Sequence, residues 1–167
     1  STADYSRALD NVSQKVQSTP EFQSCLESSI LSCKNSSVMQ TAERTWDIEY
    51  CSELWDNASI DNCRFSLTVT SAMRNLDASG CSVLSDIYLK NCQKQVYKLK
   101  AMKELNGDIC YRMITSTWST VKKEERMEVQ ECLLGVILAN TGSIEKDCDK
   151  IGDAEIKKNC QITLQQR

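Results

Sequence analysis

The sequence predicts an all-α fold, a disulfide-stapled helical repeat array behind an N-terminal helical arm. Three observations carry that expectation. The 167 residues include one proline and five glycines, too little turn punctuation for a fold of many short strands. Ten cysteines run from Cys25 to Cys160 without a C-x-x-C pair, and histidine is absent. That pattern points away from zinc, iron–sulfur and c-type haem sites and towards disulfides in an oxidising compartment. The cysteines also recur with a period of 29 or 30 residues, as in Cys51, Cys81 and Cys110, or Cys63 and Cys92. Such a period suits stacked two-helix repeats.

Taken in order, residues 1–18 read as an amphipathic helical arm. Tyr5, Leu9, Val12 and Val16 fall at offsets of four, seven and eleven, one apolar stripe on a helix. The arm carries no cysteine and is expected to stand outside a single domain spanning 19–167. Its stripe must be covered by the repeats or by another copy, so these four residues are the candidates for self-association. Thr19 then reads as an N-cap with Pro20 at the first helical position.

Five cysteine-paired repeats follow, each a short helical connector and a long helix. Cys33 to Cys51, Cys63 to Cys81 and Cys92 to Cys110 are each 18 apart, and Cys132 to Cys148 is 16. Counted from the first cysteine, Leu67, Val96 and Val136 fall at four, Ala42, Ala72 and Ala101 at nine, and Trp46, Leu76 and Leu105 at thirteen. These positions share a helix face and predict one buried stripe, with Arg44, Arg74 and Lys103 at eleven left solvated. Gly80, Gly107 and Gly142 are the expected helix stops. In the short intervals, Leu54, Leu84 and Ile151 serve as packing anchors, and Asp56, Asp86 and Asp153 as caps or turn residues. The interval after Cys110 carries an insertion, "STWSTVKKEER".

Ten cysteines allow about 945 complete pairings. Partners at opposite ends of one long helix would lie roughly 27 Å apart, far beyond disulfide reach. The expected bridges are Cys25–Cys33, Cys51–Cys63, Cys81–Cys92, Cys110–Cys132 and Cys148–Cys160, with bridges between adjacent repeats as the competing scheme.

The recurring "C-x-x-[LI]-x-D … N-C" resembles cysteine-bounded helical repeats of secreted or surface microbial proteins, and the layout over 25–167 is similar to Sel1-like and tetratricopeptide-like arrays. The resemblance implies stacked helix pairs. The shorter period and absent consensus Trp, Gly and Tyr positions separate the chain from the peptide-binding groove of the latter.

Composition excludes several function classes. Net charge is −3 with signs interspersed, which offers no basic stripe for nucleic acid. The longest apolar run, Cys132 to Ala139, is too short for a membrane span. Without histidine the commonest general base is missing, and no nucleophile elbow, zincin or phosphate-loop motif occurs. Glu124, Glu125, Glu128 and Glu131 alternate with Lys122, Lys123 and Arg126 as a solvated face rather than a catalytic dyad. Asp147 and Asp149 lack a calcium loop around them. No catalytic residue, cofactor or metal is expected. Trp46 is expected in the core and Trp55 near the surface, and Trp118 falls in the insertion; together they could also line a ligand pocket. Asn11, Asn35 and Asn57 head N-x-[ST] sequons and are candidate glycan sites. A start at Ser1 is what a mature form has after loss of a signal peptide. The expected function is an extracellular structural protein that assembles with itself as a filament or surface layer; the alternative is a secreted monomeric module binding a hydrophobic ligand or partner protein.

Overall fold

The computed structural model describes residues 8–25, 30–114 and 120–166, and these contain helices and no strand. The long helices are α3 (Ile30–Thr45), α4 (Asn57–Asn75), α5 (Asp86–Glu104), α6 (Lys123–Ala139) and α7 (Ala154–Gln165), preceded by the short α1 (Gln14–Gln17) and α2 (Pro20–Ser24). Four 3-10 helices join the long ones: η1 (Ile48–Glu53), η2 (Ala78–Val83), η3 (Gly107–Met113) and η4 (Glu145–Lys150). No described helix is long and apolar enough to cross a membrane.

One local pattern repeats. The chain leaves α3, α4 and α5 through Trp46, Leu76 and Leu105, whose φ angles are 57°, 53° and 51°. Each is a left-handed C′ residue, which costs an L-residue roughly 1 kcal/mol. The amides of Asp77 and Asn106 donate back to Ala72 O and Ala101 O, each at 3.0 Å, closing the helix end as a Schellman turn. Asp47, Asp77 and Asn106 come next, and their side chains accept from the amide two residues on, at 3.0, 2.9 and 3.0 Å. That Asx turn starts η1, η2 and η3, whereas η4 follows Ile144, whose amide donates to Asp147 Oδ2 at 3.0 Å; the fourth residue of the four 3-10 helices is Cys51, Cys81, Cys110 and Cys148 in turn. The second cysteine is the seventh residue of α4, α5 and α7 and the tenth of α6.

This differs from the sequence reading in three respects. The position-thirteen residues are not in the buried stripe: Trp46 is 41% and Leu105 48% exposed, because a left-handed C′ residue turns away from its helix. Positions four and nine do hold the core, with Leu67, Val96, Val136, Ala42, Ala72 and Ala101 all buried. Gly80 and Gly107 do not stop helices. Both lie within 3-10 helices and no described glycine has positive φ; a Cβ at Gly107 would come within 2.9 Å of Leu133 Cδ2, so what Gly107 provides is close approach, while a Cβ at Gly80 would make an ordinary 3.4 Å contact with Ala72 Cβ. Asp56 and Asp153 cap as expected, accepting from Ser59 N at 2.8 Å and from Glu155 N and Ile156 N at 3.0 Å. Asp86 instead sits inside α5 at φ 41°, with Ser85 in the cap position.

The chain forms two compact units, Ser1–Ser71 and Ala72–Arg167. The core of the first contains Val12, Val16, Phe22, Cys33, Val38, Ala42, Cys51, Leu54, Cys63 and Leu67, with Leu9 packed against it. The stripe of the expected arm is therefore turned inward: Leu9, Val12 and Val16 are packed in this unit, and Tyr5 lies outside the described residues. Gln17 Nε2 ties the preceding turn down by donating to Leu9 O and Val12 O at 3.0 and 2.8 Å. Thr19 joins the next helix to it, accepting from Phe22 N at 3.2 Å and donating to Val16 O at 2.7 Å. In the second unit α5 packs on η3 and α6, and α6 on α7 and η4. Its core gathers Ile109, Val129, Leu133, Val136, Ile137 and Ile151 around Cys110, Cys132, Cys148 and Cys160.

A hydrogen-bonded ion pair links α2 to α3 in the first unit, from Arg44 Nε to Glu21 Oε1. It holds the Glu21 carboxyl well below its ordinary range, at about 2. A folded value below the unfolded one means that the pair's contribution is complete above about pH 4.5 and disappears as pH falls towards 2. Glu21→Gln should therefore melt below the wild type at pH 6, with the gap nearly closed at about pH 2. An equal gap at both pH values in thermal melts would show that the pair contributes nothing.

Candidate functional site

Four bridges follow the within-repeat scheme: Cys51–Cys63, Cys81–Cys92, Cys110–Cys132 and Cys148–Cys160, with Cα separations of 5.7, 5.8, 5.8 and 5.9 Å. Each joins the centre of a 3-10 helix to the following long helix, so the connector and the helix it serves are clamped by the same bond. All eight sulfur-bearing residues are at most 1% exposed.

The fifth expected pair differs. Cys25 and Cys33 are present as thiols, hydrogen-bonded to each other. The local setting differs as well: Cys25 is the C-cap of α2, with φ −97° and ψ −2°, whereas every bridged first cysteine sits inside a 3-10 helix. Cys33 is fully buried, and its thiol donates to Phe22 O at 3.4 Å and lies 3.9 Å from Ser37 Oγ. Burial, followed by the contact with Cys25, pushes the Cys33 thiol up to about 11.

The surface shows a second pattern. Large apolar side chains are exposed at each 3-10 corner: Trp46 and Trp55 flank η1, Val83 ends η2 and Ile87 follows it, Leu105 and Tyr111 belong to the η3 corner, and Ile144 precedes η4. Trp55, Val83, Ile87 and Ile144 are between 62% and 68% exposed. Leu31 and Ile162, on long helices, complete the exposed large apolar set among the described residues. Around η1 the two tryptophans are interleaved with Asp47, Glu49, Glu53 and Asp56. Trp118 lies outside the described residues.

The sequons occupy three settings. Asn11 is exposed, and Asn57 is exposed as the first residue of α4. Asn35 is inside α3 and half-buried, with a buried Oδ1 that has no hydrogen-bond partner.

Carboxylates take structural roles. Glu128 pairs with Lys94 of α5 rather than with a lysine of its own helix. Asp147 accepts from Ile144 N at 3.0 Å and from Lys150 Nζ at 3.2 Å, and those bonds hold its carboxyl below the ordinary range. Among the described residues no three His, Cys, Asp or Glu side chains converge to hold a metal ion. A cleft of about 250 Å³ opens beside α3, lined by Ala8, Asn11, Val12, Ile30, Leu31 and Lys34.

Neither the exposed corners nor the thiol pair could have been located from periodicity, since apolar residues at helical spacing read as core. Comparison with protein-family models, curated proteins and solved structures found no match.

Proposed function

We propose that the protein is a non-enzymatic structural component of an extracellular, oxidising setting that associates with copies of itself, as a filament or surface layer. The observation that carries this reading is the apolar display at all four 3-10 corners. A repeated display suits a repeated partner, and the simplest such partner is another copy. Head-to-tail contact between unlike corners propagates rather than closes. The bridges support the setting, because disulfides persist outside reducing compartments and here they clamp each corner in place. Assembly through the corners also replaces the arm as the contact, since Val12 and Val16 are used inside the molecule. Asn11 and Asn57 are the sequons suited to carry glycans; Asn35 is not, with its carboxamide oxygen turned into the protein.

The test is light scattering over a concentration series together with negative-stain microscopy, on wild type and on Trp55→Glu/Ile144→Lys. The two substituted side chains are 68% and 62% exposed, so the fold should be unaffected. Concentration-dependent growth in the wild type that the variant loses is the expected result. A wild type that stays monomeric overturns the reading. The second reading, a monomeric module carrying a small hydrophobic ligand, is favoured by the cleft at Ala8, Val12, Ile30 and Leu31. A monomer with a bound molecule in native mass spectrometry, lost on Leu31→Glu, is its signature.

A further inference from the structure

Ten cysteines are divided unequally by solvent. Eight are bridged and sealed at 1% exposure or less, Cys33 is fully buried, and Cys25 alone is partly exposed. Exchange with an external thiol or disulfide needs a sulfur that the reagent can reach. Cys25 is that sulfur, and the thiol beside it belongs to Cys33.

We infer that Cys25 and Cys33 form a thiol–disulfide exchange site for low-molecular-mass disulfides, with Cys25 as the addressed sulfur and Cys33 as the resolving one. This stands independently of the assembly reading. In the forward direction Cys25 loses its proton to solvent and attacks one sulfur of R–S–S–R. The Cys25–SR bond forms, the reagent's S–S bond breaks, and RS⁻ leaves and is protonated. Cys33 then gives up its proton and attacks Cys25 Sγ, expelling the second RS⁻. Overall the protein dithiol is oxidised to a disulfide and R–S–S–R is reduced to two R–SH. External thiol runs the same steps backwards, entering at Cys25.

The two roles follow from the surroundings. Cys33 is inaccessible and its thiol is held by Phe22 O, so it does not start the exchange. Its high pKa, about 11, leaves it almost wholly protonated at neutral pH, and proximity to Cys25 compensates, because a neighbouring group reacts at a very high effective concentration. The other four pairs have no comparable entry point. Their sulfurs open to reagent only when the core around them opens.

The full-length folded protein is first treated with dithiothreitol without denaturant, freed of it, and then exposed to 2-hydroxyethyl disulfide, with intact mass as the readout. Alkylation in denaturant immediately after native reduction should find two thiols, located at Cys25 and Cys33. The wild type should then pass through a single adduct and end with the adduct gone and two hydrogens lost. Cys33→Ser and Cys33→Ala should both stop at an adduct on Cys25. Cys25→Ser should react on the order of 100-fold more slowly, the rate being set by local opening. A wild type that does not react, or that stops at the adduct, overturns the inference. So does a Cys25→Ser variant reacting at the wild-type rate, or native reduction that opens any of the other four bridges together with this pair. Circular dichroism of each variant confirms that the folded state is being read.

Discussion

Replacing the bridge Cys110–Cys132 by two alanines should lower stability by roughly 3 kcal/mol, the largest effect expected of any of the four bridges. It closes the longest loop, with a sequence separation of 22 against 11 or 12 for the others. In the chain-entropy account, doubling a loop adds about 0.6 kcal/mol, so Cys81→Ala/Cys92→Ala should cost correspondingly less. Position reinforces the ranking. Cys110 and Cys132 lie in the same core cluster as Ile109, Met113, Val129 and Leu133, and trimming both to alanine removes packed sulfur as well as the cross-link. Thermal melting should register the double variant roughly 10 °C below the wild type. A shift within error would mean that the unfolded chain is already restricted around residues 110–132, and that the bridge adds nothing to it.

The regular part of this architecture was open to inspection in the sequence, for physical reasons that can be named. Bridges constrain spacing: two cysteines clamped at about 5.7 to 5.9 Å must recur whenever the corner recurs, and four of the five expected pairs are bridged. Positions four and nine were readable because helix period and small-residue packing act on every copy. The corners were hidden because they oppose ordinary propensity. Glycine is the usual left-handed stop, yet Trp46, Leu76 and Leu105 fill that place, and the true marker is an Asx residue four before the first cysteine: Asp47, Asp77 and Asn106. Reading the helix face through position thirteen consequently sent Trp46 and Leu105 into a core they do not enter. Cys25 shows the limit of spacing arguments. It lies eight residues before Cys33, close enough to pair on paper, but it ends an α-helix rather than centring a 3-10 turn, so the repeat rule does not describe it.

Deleting residues 1–18, or introducing Val16→Asp, should unfold the first unit rather than release a folded monomer. Val16 is 1% and Val12 4% exposed, and both contact the cluster that includes Phe22, Val38, Leu54 and the Cys51–Cys63 bridge. Removing them takes away two fully packed side chains, each worth roughly 1.5 to 3 kcal/mol of burial, and strips Thr19 of the Val16 carbonyl to which it donates. A buried aspartate at position 16 has no partner in that cluster, which places the substitution among those costing more than about 4 kcal/mol. Val16→Ala grades the effect at roughly 2 kcal/mol. Hydrogen exchange on α3 is the decisive readout, since Val38, Thr41 and Ala42 are buried in that unit and should lose protection together in the deletion and in Val16→Asp. Full protection of α3 in the deletion would make the N-terminal segment a detachable element after all. Its apolar stripe would then be available to another copy, and assembly through the arm would again compete with assembly through the corners.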